Sequence, residues 1–347
     1  MNEELKIIAT IRKRSSTLEL LQLINKLYAI GIKDFRFNIS KCENEASLHD
    51  LSNAILKVKE ESLYKKISIM LDVPIPGSKP RVRLKQGDIY IAKGNIKILT
   101  GKNDCLQQDE SNKIGVNIRD FGALLSKKQI IYCSDGEGIF LVEEILNNNE
   151  VIVKAMNSFR LFNGKSLVCG KVLKDNFLKD AIMNFIQRIN PSSVVFSFVE
   201  SKEDVKEYIN SLHNIDCELI SKIETDKGVE NIREIAQISD GIMIGRGDLG
   251  LYADITKLAF FQEYIAENAH EHKKELYVAT DILDSLFLSN IPSRAEIIDI
   301  TNTMRLKPRG IILSNQLILS EHVEEVLRIT GKIYHYVNNY TKLINIK

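Results

Sequence analysis

No apolar run in this 347-residue sequence approaches the roughly 20 residues that span a bilayer, so a transmembrane helix is excluded as a reading. The start, MNEELKIIATI, is acidic and runs straight into a strand-like segment, unlike a signal or transit peptide. A cytoplasmic location with no membrane partner is expected. Cysteine is sparse: Cys42, Cys105, Cys133, Cys169 and Cys217 are far apart, odd in number and never at metal-ligand spacing. They read as reduced thiols, not as a disulfide framework. An excess of charge is also missing; the formal net charge is +1, which offers nothing to attract nucleic acid. Histidine is scattered, and His270 and His272, two apart on a helical segment, do not share a face and read as surface residues. Proline is scarce, and three of the six prolines fall in one segment, VPIPGSKP. What remains is an ordinary globular composition, 44% hydrophobic and 27% charged, long enough for one large domain with a smaller one attached.

The N-terminal third alternates between the two periodicities. Leu5–Ile11, Lys33–Asn38 and Lys66–Leu71 are short apolar, β-branched runs, while Thr17–Ile30 and Glu45–Glu61 repeat their apolar positions at helical spacing. Gly31 is placed to end the first helix. This βαβαβ order predicts a parallel sheet with helical crossovers. After the proline-rich segment the pattern changes to short strands (DIYIA, NIKILT, QIIYC, GIFLVEEI, EVIVKAM) broken by turn residues. Alternation then resumes, with strands predicted at Ser193–Ser197, Glu218–Ile223, Gly241–Ile244, Glu275–Ala279 and Gly310–Leu313. Helices are predicted at Lys202–Leu212 and Ile255–His270, with a closing helix near Glu321–Tyr336. Three strands before the interruption and five after it make eight, the count of a (β/α)8 TIM barrel in the α/β class. The expected domains are residues 1–78 and 173–347 for the barrel, and 79–172 for an inserted, small all-β domain of barrel-like form after the third strand.

Function in such a barrel sits where the strands end. The polar residues there are Arg36, Asn38, Ser40 and Lys41 after the second strand, Asp72 after the third, Ser197 after the fourth, and Lys222 and Glu224 after the fifth. Arg246 and Asp248 follow the sixth, Thr280 and Asp281 the seventh, and Ser314 and Asn315 the eighth. Charges at the ends of apolar strands are costly to desolvate unless they pair or bind something, so their convergence marks a site. Glu224 and Asp248 fall at the ends of adjacent strands, and two hard carboxylates with open positions suit Mg²⁺ or Mn²⁺. Gly245, Gly247 and Gly250 would let backbone approach a ligand. The competing reading is a pair of rim ion pairs, Glu224 with Arg246 and Asp248 with Lys222. Arg36 and Lys222 supply the fixed positive charge that phosphoryl transfer uses. Asn38, Ser40 and Asp72 form an oxygen cluster suited to a monovalent ion or to mutual hydrogen bonding.

Ordered along the chain, KIIATI (Lys6–Ile11), FRFNIS (Phe35–Ser40), LD (Leu71–Asp72), YCSDG (Tyr132–Gly136), VFSF (Val195–Phe198), SKIE (Ser221–Glu224), SDGIMIGRGDLG (Ser239–Gly250), VAT (Val278–Thr280) and SRAE (Ser293–Glu296) resemble pyruvate kinase. SKIE followed by DGIMIGRGDLG is the most specific of these. The resemblance implies that Arg36 and Lys222 hold the phosphoryl group of phosphoenolpyruvate, and that Glu224 and Asp248 bind Mg²⁺ or Mn²⁺, on which the enolate is held. It implies substrate contacts from Gly247, Asp248 and Ser197, proton delivery near Thr280, and potassium on Asn38, Ser40 and Asp72. On the nucleotide side it points to Lys41, Lys79, Arg83 and Lys165, with Arg81 an alternative to Lys79 or Arg83.

The departures gather on that nucleotide side. Arg12-Lys13 replaces the family's Gly-Pro, Ser16 stands where an arginine is used, Lys41 replaces a histidine, and Pro74-Ile75-Pro76 replaces Lys-Gly-Pro. Ser314-Asn315-Gln316-Leu317-Ile318 replaces Ser-Gly-Glu-Thr-Ala. The resemblance also implies a truncated form, without the N-terminal extension or the C-terminal domain; barrels often pair through outer helices, so a homodimer is an open expectation. The expected function is a phosphotransferase that moves the phosphoryl group of phosphoenolpyruvate to ADP or another acceptor and releases pyruvate. Two other readings stay open: a metal-dependent lyase or aldolase of pyruvate enolate, and a non-catalytic regulatory protein on the same scaffold.

Overall fold

A computed structural model describes residues 5–12, 16–39, 42, 44–61, 66–73, 80–85, 87–101, 112–169, 179–212 and 215–344. Eight parallel strands close into a barrel: β1 (Lys6–Ile11), β2 (Asp34–Asn38), β3 (Ser68–Val73), β4 (Ser193–Phe196), β5 (Glu218–Ile223), β6 (Gly241–Gly245), β7 (Glu275–Ala279) and β8 (Gly310–Leu313). Each strand pairs with the next in sequence, and β8 closes onto β1 through the register Lys6↔Gly310 to Ala9↔Leu313. Parallel strands need crossovers, and the amphipathic helices supply them. Several helices start on side-chain caps: Asn44 with Ser47, Ser201 with Asp204 and Ser293 with Glu296 form capping boxes, each satisfying an otherwise orphaned N–H group.

Side chains alternate across a strand, so every second residue points into the barrel. The middle of the interior is apolar: Ile8, Met70, Val195, Ile220, Met243, Tyr277, Ala279 and Ile312 pack as one cluster. Two residues toward the carboxyl ends of β1, β3 and β5, the same faces carry Thr10, Asp72 and Lys222. At the amino-terminal ends the first strand residues include Lys6, Asp34, Ser68, Ser193 and Glu218.

Three elements differ from expectation by two residues or more at an end. The third strand runs Ser68–Val73, so Asp72 lies inside it. Pairing with Asn38 on one side and Val195 on the other carries the strand through this charged residue. The segment predicted as helix from Ile255 begins with a 3₁₀ turn, Ile255–Lys257, and the α-helix proper is Leu258–Glu271. The last helix extends over Val323–Ile344.

A second compact unit comprises residues 76–177 together with Gly250–Ile255. The barrel-like region expected here takes the form of a seven-stranded sheet, ordered Leu167–Val168, Ile130–Cys133, Gly138–Ile145, Glu150–Ala155, Ile96–Gly101, Lys113–Val116, Val82–Arg83. A separate ribbon pairs Asp88–Ile91 with Phe159–Phe162. Its core is its own, built around Phe121, Phe140, Val151, Val153 and Leu161, all buried.

Among the described residues no helix is long and apolar enough to cross a membrane. Cys42, Cys133, Cys169 and Cys217 are free thiols. His270 is exposed and its ring meets the Leu306 carbonyl, while His272 is half-buried against the Asn268 carbonyl.

The capping box at Asn44 is testable by itself. Asn44→Ala is expected to lower the unfolding free energy by about 1 kcal/mol in urea titrations. An unchanged midpoint and slope would show that this cap contributes nothing.

Candidate functional site

Asp72 is the hub of the carboxyl-terminal mouth. Its Oδ2 accepts from Arg36 Nε at 2.9 Å, from Arg36 Nη2, and from Lys222 Nζ at 2.8 Å. Its Oδ1 accepts from Lys222 Nζ at 3.1 Å and from the Ser197 hydroxyl at 2.9 Å. Arg36 Nη1 also donates to Thr10 Oγ1 at 2.9 Å. Side chains of β2 and β5, and of Ser197 just beyond β4, thus meet at one carboxylate of β3, and Thr10 of β1 holds Arg36 from behind. Burial alone would raise the Asp72 carboxyl, but Lys222 and Arg36 outweigh it and hold the group well below the usual carboxylate range. For Lys222 burial pulls the other way, and Asp72 and Glu224 overcome it and raise the amine. Both groups are therefore charged at neutral pH.

Glu224, only 2% exposed, follows β5 directly. Its Oε1 lies 3.5 Å from Lys222 Nζ, and its Oε2 accepts the Phe198 N–H at 2.9 Å. The glycine at the end of β6 makes the room: a Cβ on Gly245 would fall 2.6 Å from Glu224 Cγ. Asp248 sits in the first turn of the helix Arg246–Tyr252, which begins where β6 ends. Strands β5 and β6 are neighbours, so the two carboxylates share one sector of the rim. As a donor set they are hard oxygens, the chemistry that Mg²⁺ and Mn²⁺ select, and they fit such an ion. Among the described residues no three His, Cys, Asp or Glu side chains gather as a larger metal cluster.

Arg246 does not pair with Glu224, as the rim-staple reading required. It is 5% exposed and turns toward β7 and the helix Arg294–Arg305. Its Nε and Nη2 donate to the Thr280 carbonyl at 2.9 and 2.6 Å, and Nη2 donates to the Asp281 carbonyl at 2.7 Å. Nη1 meets both Asp299 oxygens at 2.9 Å and Thr303 Oγ1 at 3.3 Å. This guanidinium clamps a turn in which Thr280 and Asp281 both adopt left-handed backbone, φ 78° and 55°, which is uncommon for residues with a Cβ. Thr280 is exposed at the mouth, and a Cβ on Gly247 would come 2.8 Å from its Cγ2. Lys222 likewise pairs with Asp72 and Glu224. Asp299, Thr303, Thr10 and the Phe198 N–H were not singled out from sequence. Nothing in the spacing of a helix-borne Asp299 marks it as the partner of an arginine 53 positions earlier.

Asn38 ends β2 in register with Asp72. Ser40, Lys41 and Lys79 lie outside the described residues. Ser314 donates to Asp284, and Asn315 Oδ1 accepts the Arg12 N–H. Arg83 and Lys165 both belong to the β-rich unit, where residues 80–84 run beside 163–167. The Val82 N–H donates to the Lys165 carbonyl at 2.8 Å, and Arg81 Nη1 donates to the Gly164 carbonyl at 3.0 Å. Three basic residues, Arg81, Arg83 and Lys165, therefore share one stretch of this unit.

A family model described as "Pyruvate kinase, barrel domain" matches residues 2–316. A pyruvate kinase of Thermococcus litoralis is 31% identical over 96% of this chain and 70% of its own length. One from Thermotoga maritima is 29% identical over 94% and 70%, respectively. A pyruvate kinase of Methanocaldococcus jannaschii is 40% identical, over 71% of this chain and 56% of that protein.

Removing the Asp72 charge leaves half-buried Arg36 without its carboxylate and buried Lys222 with Glu224 alone. Asp72→Asn is expected to lower the unfolding free energy by about 3–5 kcal/mol in denaturant titrations. Because the folded-state pKa is depressed, this stabilisation is complete above the unfolded value of roughly 3.9 and is lost as pH falls through the folded value. The unaltered chain should accordingly lose more stability than Asp72→Asn on acidification below about pH 4. Equal acid sensitivity in the two proteins would contradict the assignment.

Proposed function

The chain belongs to the pyruvate kinase family, and from that premise we propose that it moves the phosphoryl group of phosphoenolpyruvate to ADP or a related acceptor and forms pyruvate. The observation that carries this reading is the aim of two cations at one oxygen: Arg36 and Lys222 both donate to Asp72 Oδ2. A phosphoryl group spreads negative charge over its oxygens during transfer, and two convergent donors at a nearly dry position neutralise it. A lyase that cleaves a carbon–carbon bond moves no phosphoryl group and needs less positive charge at this position. In the proposed step the bond from phosphorus to the enolate oxygen breaks, one to an acceptor oxygen forms, and the enolate carbon takes a proton.

Lys222 joins the two halves of the site, touching Asp72 on one side and Glu224 on the other. Glu224 and Asp248 would hold Mg²⁺ or Mn²⁺, which when bound supplies positive charge to the enolate and carboxylate oxygens. The Gly247 and Asp248 backbone would face the substrate carboxylate. Ser197 acts on Asp72, fixing its Oδ1. Asn38, Ser40 and Asp72 would hold K⁺, which when bound supplies further positive charge at this end of the mouth. Thr280, held on its clamped turn, would help deliver the proton. Arg81, Arg83 and Lys165 are the basic residues proposed to meet acceptor phosphates, with Lys41 and Lys79 as further candidates.

Pyruvate formation from phosphoenolpyruvate, assayed with Mg²⁺ or Mn²⁺ across several nucleoside diphosphates, tests the reading. Lys222→Met should reduce kcat by about 10²–10³-fold or more, as loss of a transition-state charge does. Full activity in Lys222→Met would remove Lys222 from the transfer step, and no turnover with any acceptor alongside metal-dependent exchange of pyruvate methyl protons would favour the lyase reading. Gly245→Ala pushes Glu224 aside and should weaken Mn²⁺ binding by about 10–100-fold, read by electron paramagnetic resonance. Unaltered Mn²⁺ affinity would remove Glu224 from the metal site.

A further inference from the structure

The turn that carries Thr280 is held against its own preference. Thr280, Asp281 and Leu283 have φ of 78°, 55° and 54°, and left-handed backbone is a genuine outlier for a β-branched residue such as Thr280. Such a conformation persists where the surrounding structure fixes it. Two anchors do so here, and both come from the helix Arg294–Arg305. Glu296 accepts the Ser285 N–H at 2.8 Å and the Ser285 hydroxyl. Asp299 takes Arg246 Nη1 on both of its oxygens, while Nε and Nη2 of that guanidinium hold the Thr280 and Asp281 carbonyls. Positions 296, 299 and 303 are three and four apart, so Glu296, Asp299 and Thr303 share one face of the helix.

Arg246 is a bridge in this arrangement, and a bridge needs a fixed far end. A guanidinium is a planar fork on a long side chain, so whatever holds one arm sets where the other arms point. The far arm, Nη1, is held by Asp299 at 2.9 Å and by Thr303 Oγ1 at 3.3 Å. The Thr280 and Asp281 carbonyls and the Thr303 hydroxyl are neutral, so Asp299 supplies the negative charge for a guanidinium that is 5% exposed. The Asp299 side chain is itself 41% exposed, which places it on the outer ring and not in the packed core. At the other end of the bridge, the fit is close: a Cβ on Gly247 would fall 2.8 Å from Thr280 Cγ2.

We propose that Asp299 is a positioning residue for proton delivery at Thr280, acting through Arg246 and the turn that Arg246 clamps. The inference rests on the role given to Thr280 under the proposed function. In exchange of pyruvate methyl protons, a methyl C–H bond breaks, its proton passes to solvent, and the enolate carbon regains a proton from solvent. Without Asp299 the Nη1 arm is released, the turn relaxes, and Thr280 leaves its place beside the enolate carbon. Glu224, Asp248 and Lys222 stay where β5, β6 and Asp72 hold them. The rate therefore falls while binding persists.

Proton exchange into pyruvate with saturating Mn²⁺, followed by nuclear magnetic resonance in deuterated water, tests this on the whole chain. Asp299→Ala should lower the saturated rate by about 10–100-fold, as displacement of a reacting group does. Half-saturating pyruvate and Mn²⁺ affinity should change less than about threefold, since neither is bound through this turn. Asp299→Asn keeps the shape and one acceptor, and should restore most of the rate. Amide hydrogen exchange of residues 278–289, read by mass spectrometry, should quicken by about tenfold in Asp299→Ala, the loss of one charged hydrogen-bond pair. If Asp299→Ala fails to fold by circular dichroism, Asp299→Asn decides, with an expected loss of about threefold in rate. An unchanged rate in the folded variants, a loss shared equally between rate and affinity, or unaltered amide exchange at the turn overturns the proposal. Absence of proton exchange in the unaltered chain instead overturns the role given to Thr280, and amide exchange then decides by itself whether Asp299 places the turn.

Discussion

The upper half of the barrel depends on one carboxylate. Asp72 is nearly inaccessible, and taking its charge out of water would cost several kcal/mol without compensation. Compensation comes from Arg36 on the strand before it, Lys222 on a strand two places further round the barrel, and Ser197 beyond the strand between. The geometry of the mouth follows. Lys222 cannot leave Asp72 without exposing a buried charge, so it holds a fixed position from which it also reaches Glu224. Electrostatic preorganisation here is a by-product of solvating one buried anion with protein groups.

Two small-residue positions and one arginine do the remaining placement. Without a side chain at 245, Glu224 can fold back against β6 and take the Phe198 N–H. Without one at 247, Thr280 can lie against the helix that carries Asp248. Left-handed backbone at two successive residues is unfavourable, and Arg246 offsets it by donating N–H groups to the two carbonyls that the turn directs at it. The same guanidinium ties that turn to Asp299 on the next helix. Motif residues that read as a ligand-binding cluster thus divide into those facing the mouth and one, Arg246, that faces away and holds the others.

The barrel was legible because its strands are short β-branched runs separated by capped amphipathic helices. Glu218–Ile223, Glu275–Ala279 and Gly310–Leu313 have the limits the pattern predicts. The strand pieces Val82–Arg83, Lys113–Val116 and Leu167–Val168 were not legible, since two to four residues are too few to show a period of two. Which residues crowd the mouth could be read from strand ends; which carboxylate meets which cation could not. That depends on stagger and rotamer, and the reading that paired Glu224 with Arg246 shows the limit. Asp72 escaped notice as a hub because an aspartate at a predicted strand end gives no sign that the strand continues past it.

The apolar middle of the barrel has a consequence for protons. A proton wire needs an unbroken file of water or hydroxyl groups. Across Ile8, Met70, Val195, Ile220, Met243, Ala279 and Ile312 the one hydroxyl is that of Tyr277, which is turned toward Glu218 at the lower end. Through this cluster, then, no file of hydroxyl groups runs between the two mouths.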